Sequence, residues 1–204
     1  MKRGRLFLMT APSGAGKTSL VKALLQDHPN LKFSISYTTR KQRPNEVHGR
    51  DYYFVNKTEF KRMVAAGDFL EHAQVFDNYY GTSRKTVEAE MAAGRDVLLE
   101  IDWQGAQQVR KLIPEAVSIF ILPPSRAELE RRLKARGTDD ATVIARRLKD
   151  AVSDMSHWSE FDYVVVNDQF EAAVTELAAI VAGRGGALSA DRPALKPIVK
   201  ALLA

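Results

Sequence analysis

The sequence predicts an α/β protein: an open parallel sheet flanked by helices, with a β-rich insertion. Three observations predict it. Short apolar runs at 6–9, 97–101, 117–122 and 163–166 alternate with amphipathic stretches, the order expected of doubly buried strands and crossover helices. A glycine-rich turn joins the first run to the first amphipathic stretch. Residues 37–83 interrupt the alternation with aromatic, β-branched and turn-forming residues, which read as short strands.

The elements follow in order. Residues 6–9 make the first strand and 18–25 the first helix. Phe33, Ile35 and Tyr37 alternate in 31–39, which reads as one strand. Residues 40–50 are a polar loop with Pro44 and Gly49, and 51–55 are again strand-like. Phe60, Met63 and Val64 recur at helical spacing in 57–66, which stops at Gly67. A strand over 69–76 precedes the turn Asp77-Asn78-Tyr79-Tyr80-Gly81. Ser83 caps a helix running to Ala93, with Gly94 as its stop. A short helix over 104–112 separates the runs at 97–101 and 117–122, the second stopped by Pro123-Pro124. Ser125 caps a helix over 126–136 with Leu129 and Leu133 on one face, and Asp139 or Asp140 opens another to about Met155. A helix over 170–182 follows the last strand. Gly183-Arg184-Gly185-Gly186 signals a linker, and 197–204 makes one amphipathic turn or two in a tail expected to be mobile.

Composition bounds the function. The chain has 204 residues, enough for one domain or one with a small insertion. Hydrophobic residues make up 45% and charged ones 27%, so a packed core is within reach and wholesale disorder is excluded. The absence of cysteine excludes disulfides and gives secretion no support. No apolar stretch approaches a membrane span, and the basic start Met1-Lys2-Arg3-Gly4-Arg5 precedes too short an apolar run for a signal peptide. The expected setting is the cytoplasm. Net charge is +5 and the pI about 9.4, a spread excess that suits a pocket for small polyanions better than a nucleic-acid stripe.

The glycine-rich turn is the strongest chemical signal. Ala11-Pro12-Ser13-Gly14-Ala15-Gly16-Lys17-Thr18 has the pattern of a P-loop phosphate cradle, with Ala11 at the usual first glycine. Gly14 and Gly16 let the backbone curl and aim its N–H groups inward. The new helix adds the positive end of its dipole. Lys17 would reach terminal phosphates, and the Thr18 hydroxyl would ligate Mg²⁺. Arg40 and Arg43 lie three apart beside a loop, and guanidinium forks suit phosphate oxygens. Tyr52 can add a hydroxyl donor. Glu100 and Asp102 share one side of a strand near its C-terminal end, where open α/β sheets bind ligands. Arg132 and Arg136 share a helix face, and Arg146 and Arg147 lie on the following helix.

The whole stretch from Thr38 to Phe54, with the cradle ahead of it, resembles the signature of guanylate kinases. So do Phe69-Leu70-Glu71, Asn78-Tyr79-Tyr80-Gly81-Thr82, Ile101-Asp102-Trp103-Gln104-Gly105, Ile121-Leu122-Pro123-Pro124-Ser125 and Val166-Asn167-Asp168. The resemblance covers residues 4 to about 182. It implies transfer of the γ-phosphoryl group of ATP to GMP with Mg²⁺, giving ADP and GDP. It implies that Ala11, Pro12, Ser13, Gly14, Ala15, Gly16, Lys17, Thr18 and Asn167 bind ATP, Asn167 at the adenine. Arg40, Arg43, Tyr52 and Tyr80 would hold the GMP phosphate, and Ser36, Glu71, Thr82 and Asp102 would read the guanine. Guanine's N1–H and N2 amino group are donors, so a carboxylate is their natural acceptor. Glu100 would hold a water of the metal shell or orient the acceptor phosphate. Lys17, Arg40, Arg132, Arg136 and Arg147 would be catalytic, the last three from a lid, with Arg147 favoured over Arg146.

The implied domain plan is a core of 1–36, 84–125 and 157–182, a GMP-binding insertion at 37–83, a lid at 126–156 and a tail at 183–204. The expected partners are the two nucleotides, without nucleic acid or membrane; monomer and homo-oligomer both stay open. Two other readings are a catalytically inactive binding module of the same fold and a kinase for another small phosphate acceptor.

Overall fold

The structure, a computed structural model, describes residues 2–75, 77–135 and 141–204. Five strands form a parallel sheet, flanked by helices, in the order β2-β7-β1-β8-β9: β1 Leu6–Thr10, β2 Leu31–Phe33, β7 Asp96–Glu100, β8 Val117–Leu122 and β9 Tyr163–Val166. Every residue of β1 is buried, as the continuous apolar run demands. A second sheet has the order β4-β3-β6-β5, from β3 Tyr37–Thr38, β4 Tyr53–Phe54, β5 Phe69–Val75 and β6 Asn78–Ser83. Among the described residues no helix is long and apolar enough to cross a membrane.

The chain divides into two compact units. The first comprises the residues up to Leu8 and Pro29–Val117. In it, β2 runs parallel to β7, with Leu31 opposite Asp96 and Phe33 opposite Leu98. Helix α2, Lys57–Ala65, is capped by Asn56, whose side chain accepts from the Glu59 N–H. Its Phe60 and Met63 pack with Phe69, the Phe60 and Phe69 rings stacked 4.7 Å apart. Helix α3, Arg84–Ala92, is capped by Ser83 as expected. Helix α4, Trp103–Leu112, starts on Asp102, whose Oδ1 accepts from the Gly105 N–H at 2.7 Å.

The second unit comprises Met9–His28 and Ser118–Ala204. It holds α1 Lys17–Asp27, α5 Arg126–Ala135, α6 Ala141–Met155, α7 Phe170–Val181 and α8 Leu195–Leu203. Here β8 pairs in parallel with β9, Ile119 opposite Tyr163. The Asp162 carboxylate accepts from the Ser118 N–H at 2.8 Å and its hydroxyl at 2.7 Å.

Three expectations need correction. The single strand over 31–39 is two, in different sheets: the ladder on β7 ends with the Ser34 N–H on the Leu98 carbonyl, and Tyr37 then pairs with Gly81. The turn at 77–81 is shorter, because Asn78 already pairs with Val75 and Tyr79 with Gln74. The tail is packed. Leu195, Val199 and Leu202 form a buried stripe on α8, which lies against α6.

Candidate active site

Two clusters collect the residues singled out by the sequence. The first, in the second unit, is the loop between β1 and α1. The turn forms with Ala11 in the usual glycine position. Gly14 and Gly16 have φ values of 92° and 94°, a region costly for any residue with a Cβ. Gly14 is also crowded: a Cβ there would lie 2.9 Å from Leu129 Cδ1. Gly16 occupies the N-cap position of α1, with no side-chain cap on the helix's first N–H groups. Those groups and the dipole favour an anion there. Lys17 is half-buried and Thr18 exposed at this helix start.

Arg132, on α5, lies against the same loop. Its Nη1 donates to the Ala15 carbonyl at 3.4 Å and its Nη2 to the Asn167 carbonyl at 3.0 Å. Glu128 accepts from Arg132 Nε at 2.7 Å and from two nitrogens of Arg131. Hydrogen bonds from Arg131 and then Arg132 pull the Glu128 carboxyl down to about 2. On α6, Arg146 is exposed with its Nε 3.9 Å from Asp150, while Arg147 is half-buried. Arg136 lies outside the described residues.

The second cluster belongs to the first unit and has two parts. In one, Arg40, Arg43, Tyr52, Tyr80 and Glu100 come together. Arg40 donates through Nη1 and Nη2 to Glu46 at 3.0 and 2.7 Å, and its guanidinium carbon sits 5.4 Å from the Tyr52 ring centre. The Glu46 hydrogen bonds, more than those of Tyr80, hold the Arg40 guanidinium above its usual pKa. The same pairing holds the Glu46 carboxyl below its usual range. Arg43 is exposed, its N–H donating to Glu46 Oε2 at 2.8 Å. The Tyr52 and Tyr80 rings are 6.1 Å apart, edge to face. Burial first, then the nearby Glu100 charge, pushes the Tyr52 hydroxyl up to about 12, so it stays a donor at neutral pH.

The other part gathers Glu71, Thr82 and Asp102. Glu71 is 4% exposed and accepts from the Thr82 hydroxyl at 2.5 Å. A β-bulge puts it there. Phe69 pairs with Ser83 but Glu71 with Thr82, so two β5 residues oppose one on β6, and Phe69, Leu70 and Glu71 are buried in succession. Such an extra residue re-aims the side chains that follow. Gly105 keeps space between two carboxylates: a Cβ there would stand 2.7 Å from Glu71 Oε2 and 3.2 Å from Asp102 Oδ1. Ser36 lies in the link between β2 and β3, its carbonyl accepting from the Tyr53 N–H at 2.9 Å.

Sequence reasoning missed Glu46, Glu128 and Gly105 as site components. Glu46 and Gly105 stood in the quoted motifs without a role. Glu128 was legible only as an i,i+3 and i,i+4 partner of Arg131 and Arg132.

Comparison with known proteins settles what holds these clusters. The guanylate kinase family profile matches residues 3–183. The chain belongs to the guanylate kinase family. It is 55% identical over 203 residues to a guanylate kinase of Methylococcus capsulatus, and 52% over 206 residues to one of Escherichia coli K12, each match covering all of both chains. A crystal structure of guanylate kinase from Anaplasma phagocytophilum superposes with a TM-score of 0.76 at 35% identity, covering 98% of this chain and 95% of that one. Because the two relatives align over their full lengths, the segment beyond the profile, including α8, has a counterpart in these guanylate kinases.

Proposed function

We propose that the chain is an ATP:GMP phosphotransferase. An oxygen of the GMP phosphate attacks the γ-phosphorus of ATP, the bond from that phosphorus to the β-phosphate oxygen breaks, and GDP and ADP leave. The observation that carries the acceptor's identity is the buried Glu71 carboxylate, held by Thr82 and spaced from Asp102 by Gly105. It accepts from guanine N1–H and N2; adenine, an acceptor at N1, would leave it unmatched at a cost of about 1–3 kcal/mol or more. Ser36 and Asp102 complete the base site. Arg40, Arg43, Tyr52 and Tyr80 hold the GMP phosphate, and Glu100 orients it or holds a water of the metal shell.

On the donor side, the loop from Ala11 to Thr18 takes the triphosphate, and Asn167 belongs to the ATP site. Lys17 draws charge from the terminal phosphates, and Arg132, Arg136 and Arg147 neutralise the transferring group from the lid. Positioning and charge neutralisation carry most of the catalysis in such reactions. Among the described residues, no group of three or more His, Cys, Asp or Glu could hold a metal by itself. Mg²⁺ would arrive with the phosphates, with the hydroxyl of Thr18, an exposed residue at the helix start, as a hard oxygen ligand. When bound it offsets the charge on the transferring oxygens. Both substrates are small metabolites, and the proposed setting is the cytoplasm. An intact Lys17–Thr18 helix start and Arg132 beside the loop favour the enzyme over an inactive binding module.

A coupled assay of ADP release with GMP, dGMP, AMP and UMP tests the reading. ADP should appear with GMP and at most weakly with AMP or UMP. Turnover of AMP or UMP at the rate of GMP would overturn it. A Gly105→Ala variant provides a narrower check. It should still fold, at some cost in stability, because the new Cβ would stand 2.7 Å from the buried Glu71 Oε2 and force it to shift. Its new methyl group displaces the Glu71 carboxylate, so KM for GMP should rise while KM for ATP holds. An unchanged KM for GMP would remove that carboxylate from the base site.

A further inference from the structure

The Ala15 carbonyl accepts from Asn167 Nδ2 at 2.7 Å, closer than the 3.4 Å to Arg132 Nη1. Asn167 is only 4% exposed and lies at the end of β9, 152 residues along the chain from Ala15. Contact with the loop is tight: a Cβ on Gly16 would stand 2.4 Å from Asn167 Nδ2. Asn167 is itself fixed by its own backbone. Its N–H donates to the Leu122 carbonyl at 2.8 Å, and its carbonyl accepts from Arg132 Nη2 at 3.0 Å. Glu128 in turn holds Arg132, through Nε at 2.7 Å.

The carbonyl of Ala15 and the N–H of Gly16 belong to one peptide unit. In a trans peptide these two groups point in opposite directions. A side chain that pins the carbonyl on one side therefore aims the Gly16 N–H to the other. A loop without that tie would have to select the orientation while binding, and ordering of that kind subtracts from affinity.

We propose that Asn167 is a positioning residue for the triphosphate: its side-chain amide locks the Ala15–Gly16 peptide unit so that the Gly16 N–H is already oriented toward the donor's phosphates. The inference rests on the reading of the loop as the ATP site and deepens it. It differs from a contact with the adenine, because a lock on the loop acts on any triphosphate, with or without a base.

The test compares full-length wild type with Asn167→Ala and Asn167→Asp, the second keeping the shape while replacing the donor by an acceptor. Calorimetry measures Mg²⁺-ATP, Mg²⁺ with inorganic tripolyphosphate, and GMP. Loss of the tie should weaken ATP and tripolyphosphate by the same factor, about tenfold in Asn167→Ala and more in Asn167→Asp, whose carboxylate also repels the Ala15 carbonyl and the phosphates, with GMP affinity unchanged. A loss confined to ATP, or no loss for either ligand, overturns the proposal. Failure of the wild type to bind either triphosphate would instead sink the loop as the donor site.

Discussion

A Lys17→Ala variant should fold normally, bind GMP normally and lose at least about 10²–10³ in turnover, the loss seen when one preorganised donor to developing charge is removed. The fold should survive because the buried residues of α1 are Leu20, Val21 and Leu24, whereas Lys17 is half-buried at the first position of the helix. The backbone cradle also survives, since Gly14 and Gly16 keep their left-handed conformations independently of the lysine. What disappears, on the proposed mechanism, is the positive charge that offsets charge on the γ-phosphoryl group as its bond to the β-phosphate breaks. Initial rates with saturating ATP and GMP, beside calorimetric GMP binding, separate the two effects. Retained turnover would remove Lys17 from the mechanism.

The second large effect is expected of Glu71→Gln. The side chain is nearly isosteric and its site is formed by backbone features, the bulge on β5 and the close approach of Gly105, so the packing should hold. The chemistry changes sign. One acceptor oxygen becomes an NH₂ donor in a buried pocket where guanine also presents donors. A hydrogen bond to a charged group is replaced by a donor facing a donor, and kcat/KM for GMP should fall about 10²-fold. KM for ATP should barely move. Steady-state kinetics with each substrate varied in turn decides the matter: equal losses for ATP and GMP would show that Glu71 supports the fold rather than reads the base.

The parts of this fold that the sequence disclosed are those encoded locally. The phosphate loop is eight consecutive residues, and β8 is an apolar run interrupted only by Ser118. The cap at Ser83 depends on one side chain. The parts that stayed hidden depend on distant partners. Nothing in the alternation of Phe33, Ile35 and Tyr37 announces that β2 ends on β7 and β3 begins on β6. The α8 helix begins two residues earlier than its proline suggested. Pro197 is its third residue, in the first turn, where the missing N–H has no intrahelical partner to lose. In the site, the motifs marked Arg40, Tyr52 and Tyr80. The Glu46 partner of Arg40 sits across an irregular loop with no periodicity to mark it. The amide of Asn167 on Ala15 likewise has no short-range signal.

The segment after Gly183 has one more consequence. Strand β9 is the last in its sheet, and an outermost strand offers unpaired amides and carbonyls to any passing chain. Here Ser189 bridges antiparallel to Tyr163, and the Ala190 N–H donates to the Asp162 carbonyl at 3.0 Å. The protein thus occupies part of its own template for intermolecular pairing. At the other rim, β2 is only three residues long, too short to recruit a neighbour well. A chain trimmed at Gly183 would keep the residues of both site clusters and yet uncover an adhesive border.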